Sequence, residues 1–169
     1  MKFLFLLSIY AVSSVSAQDT IRNFRIDSGE VVWQKTFATE LAAFDVFSEW
    51  KAKGLFAEAG INNGQLVGLL KPFDPDLKGA GFSEWTSPVY LSRNTFHGEF
   101  TISYTGENYI VTMRHMMLVQ KYDDPMAKEG EILPIEKIAF NQKGTFSDGF
   151  VKSPAYILNY TMDKIFRFK

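Results

Sequence analysis

An α+β domain, built as a curved antiparallel sheet of about five strands with two helices on one face, is the architecture this sequence predicts. Three observations carry that expectation. Segments 94–105 and 108–122 alternate so that one face is apolar and the other mostly polar, the pattern of a sheet covered on a single side. Segment 41–53 repeats apolar residues at helical spacing, and segment 153–168 does so again. Two amphipathic helices and one half-apolar sheet bury each other as two layers.

The elements follow in chain order. Met1–Ala17 reads as a cleavable signal peptide: Lys2 opens it, Phe3–Val12 is apolar but shorter than a membrane span, and Val15-Ser16-Ala17 supplies small residues at the cleavage position. The domain is then 18–169, with its clearest core over 26–120. Phe24–Ile26 is a short strand, Asp27-Ser28-Gly29 a turn, and Glu30–Ala38 a strand whose facing Lys35 leaves open. Thr39 is placed to cap the next helix, and Leu41, Phe44, Phe47 and Trp50 form its apolar stripe. Gly54 stands where a left-handed residue ends a helix. Asn62-Asn63-Gly64 joins Leu55–Ile61 to Gln65–Lys71 as a hairpin. Pro72–Ser87 is a long irregular segment, and Val89–Leu91 reads as a short edge strand.

The second hairpin turns at Gly106-Glu107, so Thr105 pairs with Asn108. That register sets Phe100 opposite Met113, Ile102 opposite Val111, and Glu99 opposite Arg114. It places His115 on the apolar face and His97 on the other. Lys121–Lys152 shows little periodicity, with Ile135–Phe140 the one extended piece. Ser153-Pro154 starts the C-terminal helix, whose stripe is Ala155, Leu158, Met162, Ile165 and Phe166.

Composition excludes several functions. The formal charge is −1, and it becomes −2 once Lys2 leaves with the signal peptide. There is no basic stripe for nucleic acid and no later stretch of membrane-spanning length. The chain has no cysteine, so disulfides, thiolate metal sites and cysteine nucleophiles are all absent. Stability must come from a core that a 46% hydrophobic chain with 16 Phe can supply. No nucleophile elbow, zinc-binding helix or phosphate-binding glycine loop occurs. No cofactor and no metal are expected.

The residues Gly29–Phe37, Lys78-Gly79-Ala80-Gly81-Phe82-Ser83, Pro88-Val89-Tyr90-Leu91 and the hairpin from Phe96 to Val119 resemble an exported bacterial domain of unknown function with a TATA-binding-protein-like (TBP-like) fold. The order strand, helix, four strands, helix fits the same family. The resemblance spans 26–118 and implies a fold and an export route to the periplasm or cell surface. It implies no activity and transfers no catalytic residue.

Candidate site residues follow from the register. Glu99, Thr101, Thr112, Arg114 and Met116 fall together on the sheet face opposite the apolar one. Glu99 with Arg114 is either a plain cross-strand ion pair, worth about 0.2–1 kcal/mol, or the charged part of a ligand-binding surface. Trp85 lies in the long loop, where it is either an exposed anchor for a partner or a plug on the core. Asp74-Pro75-Asp76 has too few oxygens for calcium. Taken together, the residues favour a non-catalytic binding module whose partner is a protein, peptide or glycan of the cell envelope. A hydrolase working through carboxylates around Glu99 and an assembly role through an exposed edge strand are the alternatives.

Overall fold

The structure, a computed structural model, describes residues 20–125 and 127–168. The signal-peptide assignment, Met1–Ala17, lies outside the described residues. Eight strands and five helices follow one another: β1 Thr20–Ile21, β2 Phe24–Asp27, β3 Glu30–Ala38, α1 Ala43–Ala52, β4 Phe56–Asn62, β5 Gln65–Leu70, α2 Val89–Arg93, β6 Asn94–Tyr104, β7 Asn108–Gln120, β8 Ile132–Pro134, α3 Glu136–Ala139, α4 Asp148–Lys152 and α5 Pro154–Phe166. They form one antiparallel sheet in the order β1-β2-β3-β7-β6-β5-β4, with β8 added beside β7.

The expected turns are present. Ser28 and Gly29 have φ of 54° and 83°, Asn63 and Gly64 have 48° and 75°, and each pair closes a two-residue hairpin. The β6–β7 register matches the expected pairs from Glu99↔Arg114 to Tyr104↔Tyr109. The hairpin 94–105/108–122 therefore exists nearly as read.

Among the described residues, eight strands replace the expected five or so, and five helices the expected two. The additions are short: β1 has two residues, β8 three and α3 four, too few to display any period. Val89–Leu91 is not an edge strand but the start of α2, a single turn begun after Pro88 and held by Leu91 N–H donating to the Pro88 carbonyl. Ile135–Phe140 is not extended; it contains α3, and the Glu136 carboxylate there accepts Val31 N–H.

The two layers hold. Phe100, Ile102 and Val111 are buried, and both long helices cover that same side. Trp50 of α1 lies 5.4 Å from the ring of Phe166 in α5 and 6.4 Å from Tyr109 of β7. Trp33 stacks on Phe166 from below, and Tyr109 Oη donates to the Phe166 carbonyl at 2.7 Å. Lys35 shares the inward face with Val31, Trp33 and Phe37 because its ammonium meets Asp163 of α5 at 2.5 Å.

The stripe of α1 is only half used. Val46, Phe47 and Trp50 are buried, whereas Phe44 is 76% exposed and Leu41 precedes the helix. A spacing of three falls short of a full turn by about 60° per step, so the stripe winds off the buried face. Thr39 does not cap α1; its hydroxyl accepts Leu41 N–H one turn earlier.

A candidate binding surface on the open face

The side of the sheet turned away from α1 and α5 is shaped by one irregularity in β7. Its first half pairs with β3 as far as Trp33↔Met113, and its second half pairs with β8 from Met117 onward. Between those partners, His115 and Met116 together oppose the single residue Gly98 of β6. This is a β-bulge. His115 takes φ of 47°, a left-handed conformation more often given to glycine. A Cβ on Gly98 would stand 2.9 Å from the Arg114 carbonyl oxygen, so the strand facing the bulge needs its glycine.

Glu30, the first residue of β3, fastens the bulge. One carboxylate oxygen accepts His115 N–H at 2.7 Å, and the other accepts Arg114 Nη1 at 2.7 Å. Asp27 takes Arg114 Nη2 at 2.5 Å. Arg114 and Glu99 are therefore register partners whose side chains part company: Arg114 turns toward β2 and β3, while Glu99 meets His115 Nδ1 at 2.9 Å. Gln34 continues the lattice, accepting from Arg25 at 2.7 Å and donating to Thr112 Oγ1 at 3.1 Å.

The bulge also corrects two expected facings. His115 leaves the apolar face and comes out beside Glu99, and Met116 leaves the open face for the core, where it is 4% exposed. Both histidines now belong to the open side, so opposite facings no longer separate them. Even so, no group of His, Asp and Glu suited to a metal ion occurs among the described residues.

Charge follows this geometry. The Arg114 guanidinium holds the Asp27 carboxyl below its usual range. The Glu99 carboxylate, with Glu30 assisting, raises His115 above the ordinary histidine value of 6.5. A raised histidine stabilises the fold fully below 6.5 and loses that contribution as pH climbs through its folded value. Both side chains face water, so the contribution is at most about 0.5 kcal/mol. Urea midpoints measured from about pH 5 to 9 should decline above 6.5 in the parent chain, and Glu99→Gln should flatten that decline. Equal slopes in both proteins would mean that Glu99 does not govern His115.

Four of the six expected site residues, Glu99, Thr101, Thr112 and Arg114, line one depression of about 500 Å³. Glu58 of β4 and Leu69 of β5 also line it. Sequence reasoning missed both, although the Asn63-Gly64 turn fixes the alternation that sends them outward. What it lacked was the β5–β6 pairing, which lies across the long 71–93 connection. Trp85 is not part of this group. It is 98% exposed, which rules out the plug, and its loop is fastened to α5 on the helical side: Asp76 N–H donates to Thr161 Oγ1 and Phe82 packs on Tyr156.

Solved structures with a similar fold exist. A DUF4468 family protein from Bacteroides ovatus superposes with a TM-score of 0.54 at 14% identity, covering 90% of this chain and 95% of its own. A TBP-like protein from Parabacteroides distasonis gives a TM-score of 0.51 at 12% identity, covering 88% and 90%. The chain has a TBP-like fold. No family model and no curated protein matches it. One neighbour is a domain of unknown function and the other is described by its fold, so the TBP-like likeness establishes architecture and assigns no activity.

A larger hollow of about 680 Å³ opens on the helical side beside Lys53, Phe73 and Ile165. Its carboxylate Asp76 is taken up by Lys164 at 2.7 Å and by Gly79 N–H at 2.8 Å. Asp74 is paired with Lys121, so the Asp74-Pro75-Asp76 carboxylates serve two different lysines. No helix among the described residues is long and apolar enough to cross a membrane.

Proposed function

We propose that this is an exported, non-catalytic binding module of the cell envelope, and that its open sheet face receives a polar peptide or glycan segment. The observation that carries the reading is the depression itself. It combines neutral hydroxyls at Thr101 and Thr112, carboxylates at Glu58 and Glu99, and an apolar strip at Val67 and Leu69. Pockets of this size with a few converging polar groups are the usual ligand sites of small domains. The polar groups are also held in place before any ligand arrives. Glu30 and Asp27 fix Arg114, Gln34 fixes Thr112, and His115 fixes Glu99. Such preorganisation lowers the ordering cost of binding.

The carboxylate-hydrolase alternative draws on Glu58 and Glu99 lining one depression. General acid catalysis wants one carboxyl in a dry, apolar surrounding that keeps it protonated. Here the Glu99 side chain is 63% exposed and bonded to a histidine, which favours binding over hydrolysis.

Thr101 tests the reading, because its outward hydroxyl carries none of the lattice bonds above. Thr101→Trp should fill the depression, reduce capture of peptides or glycans from envelope extract at least tenfold, and leave the melting temperature unchanged. Trp85→Ala should retain that capture. Undiminished binding by Thr101→Trp would remove the depression from consideration.

A further inference from the structure

The two ends of the sheet are unlike. One is closed by the two-residue β1, too short to template another strand. The other is β4, seven residues long, with every position from Ala57 to Asn62 exposed. Natural sheets blunt such edges with lysine, proline or inward charge. β4 has none of these; its sequence FAEAGIN carries one charge, Glu58, and leaves Ile61 58% exposed. Its bulge lies at the far end, between Phe56 and Glu58, so Ala59–Asn62 is regular.

We propose that this edge pairs with the same edge of a second copy of the chain, antiparallel about Gly60. Hydrogen-bond alternation sets the register. The two-residue turn makes Asn62 and Gln65 a hydrogen-bonded pair, so Gly60, opposite Val67, also directs its N–H and C=O toward β5. Ala59 and Ile61 then direct theirs toward the free side. A twofold axis at Gly60 sets Ala59 against Ile61 of the other copy, and the outward groups of each satisfy those of its counterpart.

The side chains agree with that register. Ile61 and Ala59 both face the helical side, so the exposed isoleucine of each copy is covered by the small residue of the other. Glu58 falls opposite Asn62 rather than opposite a second carboxylate, which would repel it. Glycine at the axis leaves room for close approach, since a Cβ there meets nothing within 4 Å. Because Glu58 and Asn62 also line the depression, the pairing sets two depressions side by side across the axis. It does not depend on what those depressions bind.

The absence of cysteine makes the test direct. Opposed residues in a non-hydrogen-bonded pair have Cα atoms about 4.5 Å apart, within disulfide range. Gly60→Cys should oxidise to a disulfide-linked dimer at least ten times faster than Ser48→Cys, an exposed control on α1. Adding Ile61→Lys should abolish the difference. Asn62→Lys, opposite Glu58 of the other copy, should shift the concentration-dependent sedimentation of the cysteine-free chain toward dimer, and Asn62→Glu should shift it toward monomer. Equal cross-linking rates for the two cysteine variants would overturn the pairing. So would sedimentation as monomer at about 100 µM, or capture of an added extended peptide by β4 without self-association. Parallel effects of Asn62→Lys and Asn62→Glu would overturn the register.

Discussion

Trp50→Ala should cost about 3–5 kcal/mol, the range for removing a large buried aromatic side chain. Domains of this size are stable by about 5–15 kcal/mol, so the variant loses about a fifth of the total or more. The expected fall in melting temperature is about 6–20 °C. The reason is positional. Trp50 is fully buried and stands between both layers: its ring lies 4.9 Å from Phe168, 5.4 Å from Phe166, 6.3 Å from Phe56 and 6.4 Å from Tyr109. Truncation unlinks α1 from α5 and from the sheet at once, and leaves a cavity that rigid neighbouring rings cannot fill. Trp50→Phe should cost far less, about 1–2 kcal/mol. The indole Nε1–H finds no acceptor among the described residues, so the phenyl ring forfeits volume and no hydrogen bond. Urea titrations followed by circular dichroism separate the two variants. A loss below about 1 kcal/mol for Trp50→Ala would show that α1 does not depend on this contact.

The parts of this molecule legible in its sequence are those where a local rule acts alone. Asp27-Ser28-Gly29, Asn63-Gly64 and Gly106-Glu107 announced three turns, and alternation placed Phe100, Ile102, Val111 and Met113 in the core. What stayed hidden was produced by partners distant in the chain. The bulge at His115 is stabilised by Glu30, 85 positions earlier, and histidine stands where glycine would have signalled a left-handed residue. That one shift sent His115 outward and Met116 inward, and it turned the expected Glu99–Arg114 pair into two separate contacts. The β8–α3 region was unreadable for a different reason: its elements are shorter than the period that would reveal them.

The site was legible to the same extent. Glu99, Thr101, Thr112 and Arg114 share a hairpin whose register the turn determines, so they could be grouped without coordinates. Glu58 and Leu69 join them only because β5 pairs with β6 across a long connection. Trp85 was singled out by residue type, and its solvent exposure makes it an independent surface feature on the helical side.

Gly68→Ala is the second large expected effect, and it tests how β4 is held at the rim of that site. A Cβ on Gly68 would stand 2.0 Å from the Glu58 carbonyl oxygen and 2.9 Å from Ala59 Cα. Both are backbone atoms of β4, so no side chain can swing aside, and the two strands must separate. Overpacking of this kind costs about 1–3 kcal/mol, and here it should reach the upper end. Gly60, eight positions away on the same hairpin, is the contrast. Its added Cβ meets nothing, and its φ is not in the left-handed region. Gly60→Ala should therefore be neutral or stabilising by about 0.4–1 kcal/mol, through the smaller entropy of the unfolded chain. In Gly68→Ala the displaced β4 carries Glu58 with it, so binding at the open face and cross-linking through Gly60→Cys should weaken together. Denaturant midpoints that fall equally in Gly68→Ala and Gly60→Ala would mean that β4 does not approach β5 so closely. In that case, Glu58 would have no fixed place in the wall of the depression.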